Sequence, residues 1–272
     1  MIKKKLIFGT QCLGSYLNKK DSYLLLDQLY DFGVKKFDCA ERYPFPEKNE
    51  TFGLTEEIIG DWQKKNKLRK SILVDTKVTG RNFGEIKSVG GKRLLPKRII
   101  SSAEKSLKRL KTDYIDTFYI HWPDRFTNNF DRLYYSPSVD PKFIPLDAQF
   151  EAILKLKKSG KIKNFGISNE SAWGLSKFQN LCTKHKIKLF SQEEYSLINR
   201  KVEIAMKEIF IRDNIKFNAY SPLGGGLLTG KYFKNKKYNG RFNSIRNFKK
   251  KRGYLGKLEK SKKIFQYCKK NS

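Results

Sequence analysis

The sequence predicts a parallel α/β architecture, either a barrel or a doubly wound sheet, and three observations carry that reading. Short apolar, β-branched or aromatic runs alternate with longer segments of helical period almost from end to end. The links between most of them are short, and no Pro-, Ser- or Gly-rich linker divides the 272 residues, so a single domain over 1–272 is expected. Three connections, 79–96, 123–146 and 224–253, are too long and polar to be simple links, and each follows a strand candidate. In a barrel that places all three at the C-terminal end of the strands, where such folds build their active sites.

The strand candidates are 6–10, 35–39, 72–78, 114–121, 162–168, 187–192 and 215–220. Their continuous apolar runs suit parallel strands buried on both faces. Asp21 is expected to cap a helix whose Leu25, Leu29 and Phe32 share a face and which Gly33 closes. Ile99, Ala103, Leu107 and Leu110 form one stripe beginning just after Pro96. Asp147 opens a helix ending at Lys157-Lys158-Ser159-Gly160, a cationic last turn followed by glycine. Val202, Ala205, Met206, Ile209 and Phe210 make another stripe, and Tyr254, Leu258, Phe265 and Cys268 the last.

Composition narrows the class. Hydrophobic residues at 39% and aromatics at 14% suffice for a sizeable core. No apolar run approaches the ~18 residues of a membrane span, and the apolar patch after Lys3-Lys4-Lys5 is too short for a signal peptide. A cytoplasmic setting with no membrane partner is the expectation. Cys12, Cys39, Cys182 and Cys268 have no metal-ligand spacing and read as reduced, mostly buried thiols, with no metal expected. The charge is unusual: 58 basic residues against 27 acidic give +31. The lysines are spread along the chain, at Lys64-Lys65, Lys157-Lys158, Lys236-Lys237 and Lys249-Lys250-Lys251, without a patch interleaved with aromatics. Dispersed charge of this kind bears on solubility, and no specific nucleic-acid partner is expected.

Chemistry gathers where strands end. The second strand closes on Asp38, with Tyr43 five residues on; the third ends near Lys77 and the fourth at His121. Reduction of a carbonyl needs a proton at its oxygen, and a phenol of pKa ~10 is a poor donor near neutrality unless it is tuned. An ammonium beside it, from Lys77, stabilises the phenolate; Asp38 supplies the carboxylate that a buried lysine requires. The His121 imidazole can orient or polarise the carbonyl. Singly, each residue has a plainer use: surface lysine, core histidine, loop-capping aspartate. Their convergence from three consecutive strands favours the catalytic reading, and the run Ile72-Leu73-Val74 leading into Lys77 makes an idle charge there costly.

With these residues in place, the chain resembles the aldo-keto reductases over nearly its whole length. F-D-C-A-E-R-Y-P, L-V-D-T-K-V, Y-I-D-T-F-Y-I-H-W-P, I-K-N-F-G-I-S-N, E-Y-S-L-I-N-R and A-Y-S-P-L-G-G-G-L-L-T-G-K-Y are similar to the family's motifs and follow its order. Tyr43-Pro44-Phe45-Pro46, Gly53-Leu54-Thr55-Glu56 and the long 123–146 loop are similar to the Tas-type bacterial branch. The resemblance implies a TIM-type (β/α)8 barrel, NADP(H), and a small aldehyde or ketone as substrate. It makes Tyr43 the acid, Lys77 and Asp38 its tuning pair, and His121 the carbonyl-orienting group. It further implies that Ser168, Asn169 and Gln192 bind the nicotinamide carboxamide and that Tyr220 stacks on the ring. Ser221, Leu223, Gly225 and Lys231 would cradle the pyrophosphate, Thr10 and Gln11 would also contact the cofactor, and Trp122 would wall the substrate pocket.

The sequence departs from the family's pattern in three places. It enters the first strand without the family's floor-plugging hairpin, and seven strands are recognisable, the eighth strand and last helices being absent. An incomplete barrel is therefore expected, with the first and seventh strands facing each other across a gap and with little preference for NADPH over NADH. Gln192-Glu193-Glu194 carries acids where the family usually shows Asn and Pro. Two further readings stand beside that of an active reductase: a weakly active or inactive truncated homologue, and a nucleotide-sensing binding subunit.

Overall fold

The computed structural model describes residues 6–82, 86–127, 135, 143–234, 238, 240–244 and 256–271. Among the described residues seven parallel strands form one sheet: β1 (Phe8–Gly9), β2 (Lys36–Asp38), β3 (Leu73–Val78), β4 (Ile115–Ile120), β5 (Ile162–Ser168), β6 (Leu189–Glu194) and β7 (Lys216–Tyr220). The strands lie side by side in chain order, which excludes a doubly wound sheet, whose order reverses at a switch point. Contacts across the interior show the curvature. Asn218 on β7 donates to the Tyr119 hydroxyl on β4 at 2.8 Å, and the Lys36 ammonium on β2 lies 5.7 Å from the Phe190 ring centroid on β6. The architecture is a seven-stranded near-barrel of the incomplete (β/α)8 kind. Among the described residues β1 and β7 are its two edges, and β7 is far more exposed than β3 or β4.

The helices pack outside: α1 (Lys19–Phe32), α2 (Leu54–Lys65), α3 (Pro96–Leu110), α4 (Leu146–Lys158), α5 (Ala172–Lys184), α6 (Lys201–Ala205), α7 (Lys207–Arg212), α8 (Lys231–Lys234), α9 (Arg241–Ser244) and α10 (Lys257–Lys270). The main core lies between this layer and the sheet, with Leu26, Ile58, Ile59, Ile99, Ala103, Phe118, Phe150, Phe165 and Phe178 fully or almost fully buried. The α3 stripe is buried as its spacing predicts, Pro96 occupies the first turn, and Gly160 follows α4 at φ 72°.

Several local expectations are corrected. Asn18, not Asp21, caps α1, its side-chain oxygen accepting from the Asp21 N–H at 2.9 Å. The helix therefore starts earlier, its fully buried residues are Ser22 and Leu26, and Phe32 is exposed. The 202–210 stripe is divided at Met206, whose φ of −119° is stretched and which caps two short helices, and Ala205 is exposed. In α10 the buried residue is Ser261; Leu258 and Cys268 are exposed, and Tyr254 lies outside the described residues. Strand β6 starts two residues later than the apolar run, because the Ile187 N–H still closes α5 by bonding to the Cys182 carbonyl at 2.8 Å. The lysine runs at 236–237 and 249–251 lie outside the described residues, as does most of the 123–146 connection. Among the described residues no helix is long and apolar enough to cross a membrane.

Candidate active site

The pairing register carries Asp38, Lys77 and His121 to one end of the barrel. Asp38 is the last residue of β2, Lys77 the penultimate one of β3, and His121 follows β4, its N–H continuing the ladder to the Val78 carbonyl at 2.9 Å. Lys77 is fully buried, and its ammonium donates to both Asp38 oxygens at 2.7 Å and to the Cys39 carbonyl at 2.6 Å. Burial alone would push the Lys77 pKa down, but Asp38, and Tyr43 once ionised, outweigh it and hold it above the ordinary lysine value. The Lys77 nitrogen lies 5.4 Å from the Tyr43 ring centroid, and that ring meets His121 edge to face, with centroids 5.6 Å apart. The His121 ring in turn lies 4.8 Å from the Trp122 ring.

Asp38, Tyr43, His121 and Trp122 face a cleft of about 650 Å³ that runs on past Gln11, Ser168, Asn169, Gln192, Tyr220, Ser221, Leu223 and Gly225 to Lys231. Of the residues expected at the cofactor, Thr10 is the exception. It is fully buried behind the wall, where its N–H and hydroxyl both donate to the Asp38 carbonyl, at 3.1 and 3.0 Å. The polar groups at the middle of the cleft are cross-linked. Asn169 donates to the His121 carbonyl at 2.9 Å, Ser168 to the Gln192 carbonyl at 2.7 Å, and the Tyr220 hydroxyl to the Asn169 side-chain oxygen at 2.5 Å. Asn169 and Ser221 both sit in left-handed backbone, at φ 53° and 52°, a strained setting that clusters at functional sites. Beyond them, Gly225 and Gly226 hold φ 64° and 98°, leaving bare backbone beside the Lys231 ammonium. Bare backbone and a cation at one end, with amide and hydroxyl groups and an aromatic ring at the middle, could hold a ligand that carries both an anionic group and a flat polar ring.

Sequence reasoning missed several wall residues, among them Tyr16, Phe45, Glu47, Tyr232 and Tyr238. Four of these come from loops and Tyr232 from the four-residue helix α8, where neither periodicity nor strand ends give a signal. It also missed Asp124, a buried clamp that accepts from Arg93 and from the Leu94 and Ile144 N–H groups and so ties the two long loops together. Of the two acids after Gln192, Glu193 finds an account in strand alternation. Gln192 lines the cleft, whereas Glu193 does not. Its carboxyl accepts from the Glu170 N–H at 3.1 Å and the Ser191 hydroxyl at 3.2 Å. Burial pushes the Glu193 carboxyl well above the usual range, against the pull of the Glu170 N–H that it accepts from. Glu170 itself pairs with Arg125.

The strand order and the rim-borne groups define a (β/α)-barrel protein with its site at the strands' C-terminal ends. The model of the aldo/keto reductase family matches residues 5–272. The chain is 35% identical to Protein tas of Escherichia coli over 240 residues, covering 87% of this chain and 69% of that protein. It is 31% identical to the uncharacterized oxidoreductase YrpG of Bacillus subtilis, covering 85% and 66%, and 33% identical to human aflatoxin B1 aldehyde reductase member 2, covering 52% and 35%. The chain belongs to the aldo/keto reductase family, and so to the oxidoreductases.

Proposed function

We propose that the protein is an NADP(H)-dependent oxidoreductase that interconverts an aldehyde or ketone with the corresponding alcohol. When bound, the nicotinamide cofactor supplies or accepts the hydride. Ser168, Asn169 and Gln192 would hold its carboxamide, Tyr220 its ring, and Ser221, Leu223, Gly225 and Lys231 its phosphates, with Gln11 at the cleft wall and Thr10 bracing Asp38 from behind. Tyr43 donates the proton to the carbonyl oxygen, and the Lys77 ammonium stabilises the phenolate left behind. Asp38 keeps Lys77 charged in a dry site, and His121 orients the carbonyl. Trp122 gives the substrate side an aromatic wall.

One observation carries this reading: a lysine with 0% exposure, gripped by both oxygens of Asp38 and 5.4 Å from the ring of Tyr43. Burying that charge needs a reason, and a nearby phenol that must ionise in the transition state provides one. The likeness to a relative named an aldehyde reductase suggests aldehydes as the first probes. The test is NADPH titration by fluorescence together with NADPH consumption in the presence of para-nitrobenzaldehyde. Saturable binding with aldehyde-dependent consumption supports the reading. Binding without consumption of any aldehyde or ketone would favour a nucleotide-sensing subunit, and no binding would overturn both.

A further inference from the structure

A second ion pair lies inside the barrel, one step below the first. Parallel register sets Asp38 on β2 directly opposite Asp75 on β3. Lys77, two residues beyond Asp75, reaches Asp38; Lys36, two residues before Asp38, reaches Asp75 at 2.8 Å. Residues two apart on a strand share a face, so all four point inward and the two pairs run as parallel diagonals with their signs reversed. This puts two carboxylates face to face, an arrangement that disfavours both being charged.

The surroundings of Asp75 sharpen the point. It is fully buried. From β2 it faces Lys36 and Asp38, and on its own strand Lys77 follows; from β4 it faces Thr117, its register partner, and Tyr119. The Tyr119 phenol is no countercharge: burial first, then Asp75 and Asp38, push its pKa well up, and its oxygen accepts from Asn218. Lys36 is the balancing cation, and its side chain is 18% exposed against 0% for Asp75.

We infer that Asp75 is a positioning residue for the proposed reduction, its charge acting through Asp38 on the field at Lys77 and thereby on the acidity of Tyr43. This rests on the tetrad reading above. Burial, with Asp38 adding to it against the pull of Lys36, pushes the Asp75 carboxyl up to about 6. Below that pH the four groups carry one net positive charge, and above it none. A net positive interior favours the Tyr43 phenolate, so proton donation is easier on the acid side and the chemical step slows as pH rises through the titration of Asp75. The comparison of variants is decisive rather than the wild-type profile alone, because the cleft holds other ionisable groups.

The experiment measures the single-turnover rate of NADPH oxidation by para-nitrobenzaldehyde across neutral and mildly acidic pH, for the wild type and Asp75→Asn. NMR titration of ring-labelled tyrosine, with Tyr43 assigned from Tyr43→Phe, accompanies it. The wild-type rate should fall about three- to tenfold as Asp75 ionises, the factor for half to one pKa unit of coupling. Asp75→Asn should hold the acid-side rate throughout, and its Tyr43 should titrate at lower pH than in the wild type. The same pH limb in both proteins, a uniform loss of rate in the variant, or an unmoved Tyr43 titration would overturn the inference. If Asp75→Asn does not fold, Lys36→Met/Asp75→Asn removes both partners and the titrating group while leaving the net charge at zero: its rate should stay near the wild type's higher-pH level with no Asp75 limb, and a limb that persists would overturn the inference. If the wild type reduces nothing, the tyrosine titration decides alone: a shift sustains the coupling while the reductase reading fails.

Discussion

The imidazole of His121 meets the ring of Tyr43 edge to face, with planes at 81°, while its backbone carbonyl accepts from Asn169 across the cleft. One residue thus joins the proton-donating side of the site to the side expected to hold the cofactor. His121→Ala should lower kcat/KM for an aldehyde by about two orders of magnitude, the scale of losing one oriented polar group at a developing oxyanion. NADPH affinity should change little, because the Asn169 bond is to the backbone. Steady-state kinetics with a fluorescence titration check both halves.

Replacing Lys77 by Met should destabilise the fold by about 3–5 kcal/mol, because it leaves the Asp38 carboxylate in the site without its partner. Asp38→Asn/Lys77→Met should recover part of that loss while remaining inactive. Urea unfolding of the two variants measures the difference.

Gly80 bears directly on the substrate wall. A Cβ there would stand 1.9 Å from the Trp122 carbonyl oxygen and 2.4 Å from its ring. Gly80→Ala must therefore displace Trp122, whose indole N–H donates to the Arg81 carbonyl at 2.9 Å. A stability loss of about 1–3 kcal/mol is expected from the overpacking, with a raised KM for aromatic aldehydes. Calorimetry and initial-rate measurements test the pair of effects.

Asp75 also leaves a mark on stability. Its folded pKa, about 6, stands above the ordinary aspartate value of 3.8, with burial the main cause. The folded state therefore binds the proton more tightly than the unfolded one. The stability this contributes is fully present below the unfolded pKa and is lost as pH rises through the folded one. Between about pH 4 and pH 6 the wild type should lose up to roughly 3 kcal/mol relative to Asp75→Asn, and above that window the difference should level off. Urea midpoints of both proteins across the window check the direction; a difference independent of pH would contradict it.

Much of this was legible in the sequence, for physical reasons that also explain the rest. Strands buried on both faces must be written as apolar runs, so all seven declared themselves, and charged residues at their ends marked the rim. The Asp38–Lys77 pair was readable because a lysine two residues past Val74-Asp75 had to be either very costly or useful. Asp75 stood in the same run and was passed over. Its partner Lys36 looked like one more lysine among 58 basic residues, and only the register reveals the diagonal between them. The capping role of Asn18 was hidden by Asp21, an equally plausible cap three residues on. The division of the stripe at Met206 had no glycine or proline to announce it. Helices α2 and α5 did not emerge as separate stripes, although Ile58, Ile59 and Trp62, and Leu175 and Phe178, anchor them. Thr10 was expected at the cofactor by resemblance, yet both its donors are spent on Asp38.

The most direct test of the central claim, that Tyr43 donates the proton for carbonyl reduction, is the turnover of Tyr43→Phe against the wild type with NADPH and an aldehyde. NADPH affinity is measured on both proteins in the same experiment. The account predicts a loss of about two to four orders of magnitude in kcat, the contribution of a general acid, with NADPH affinity essentially unchanged. A variant that turns over near the wild-type rate would contradict it.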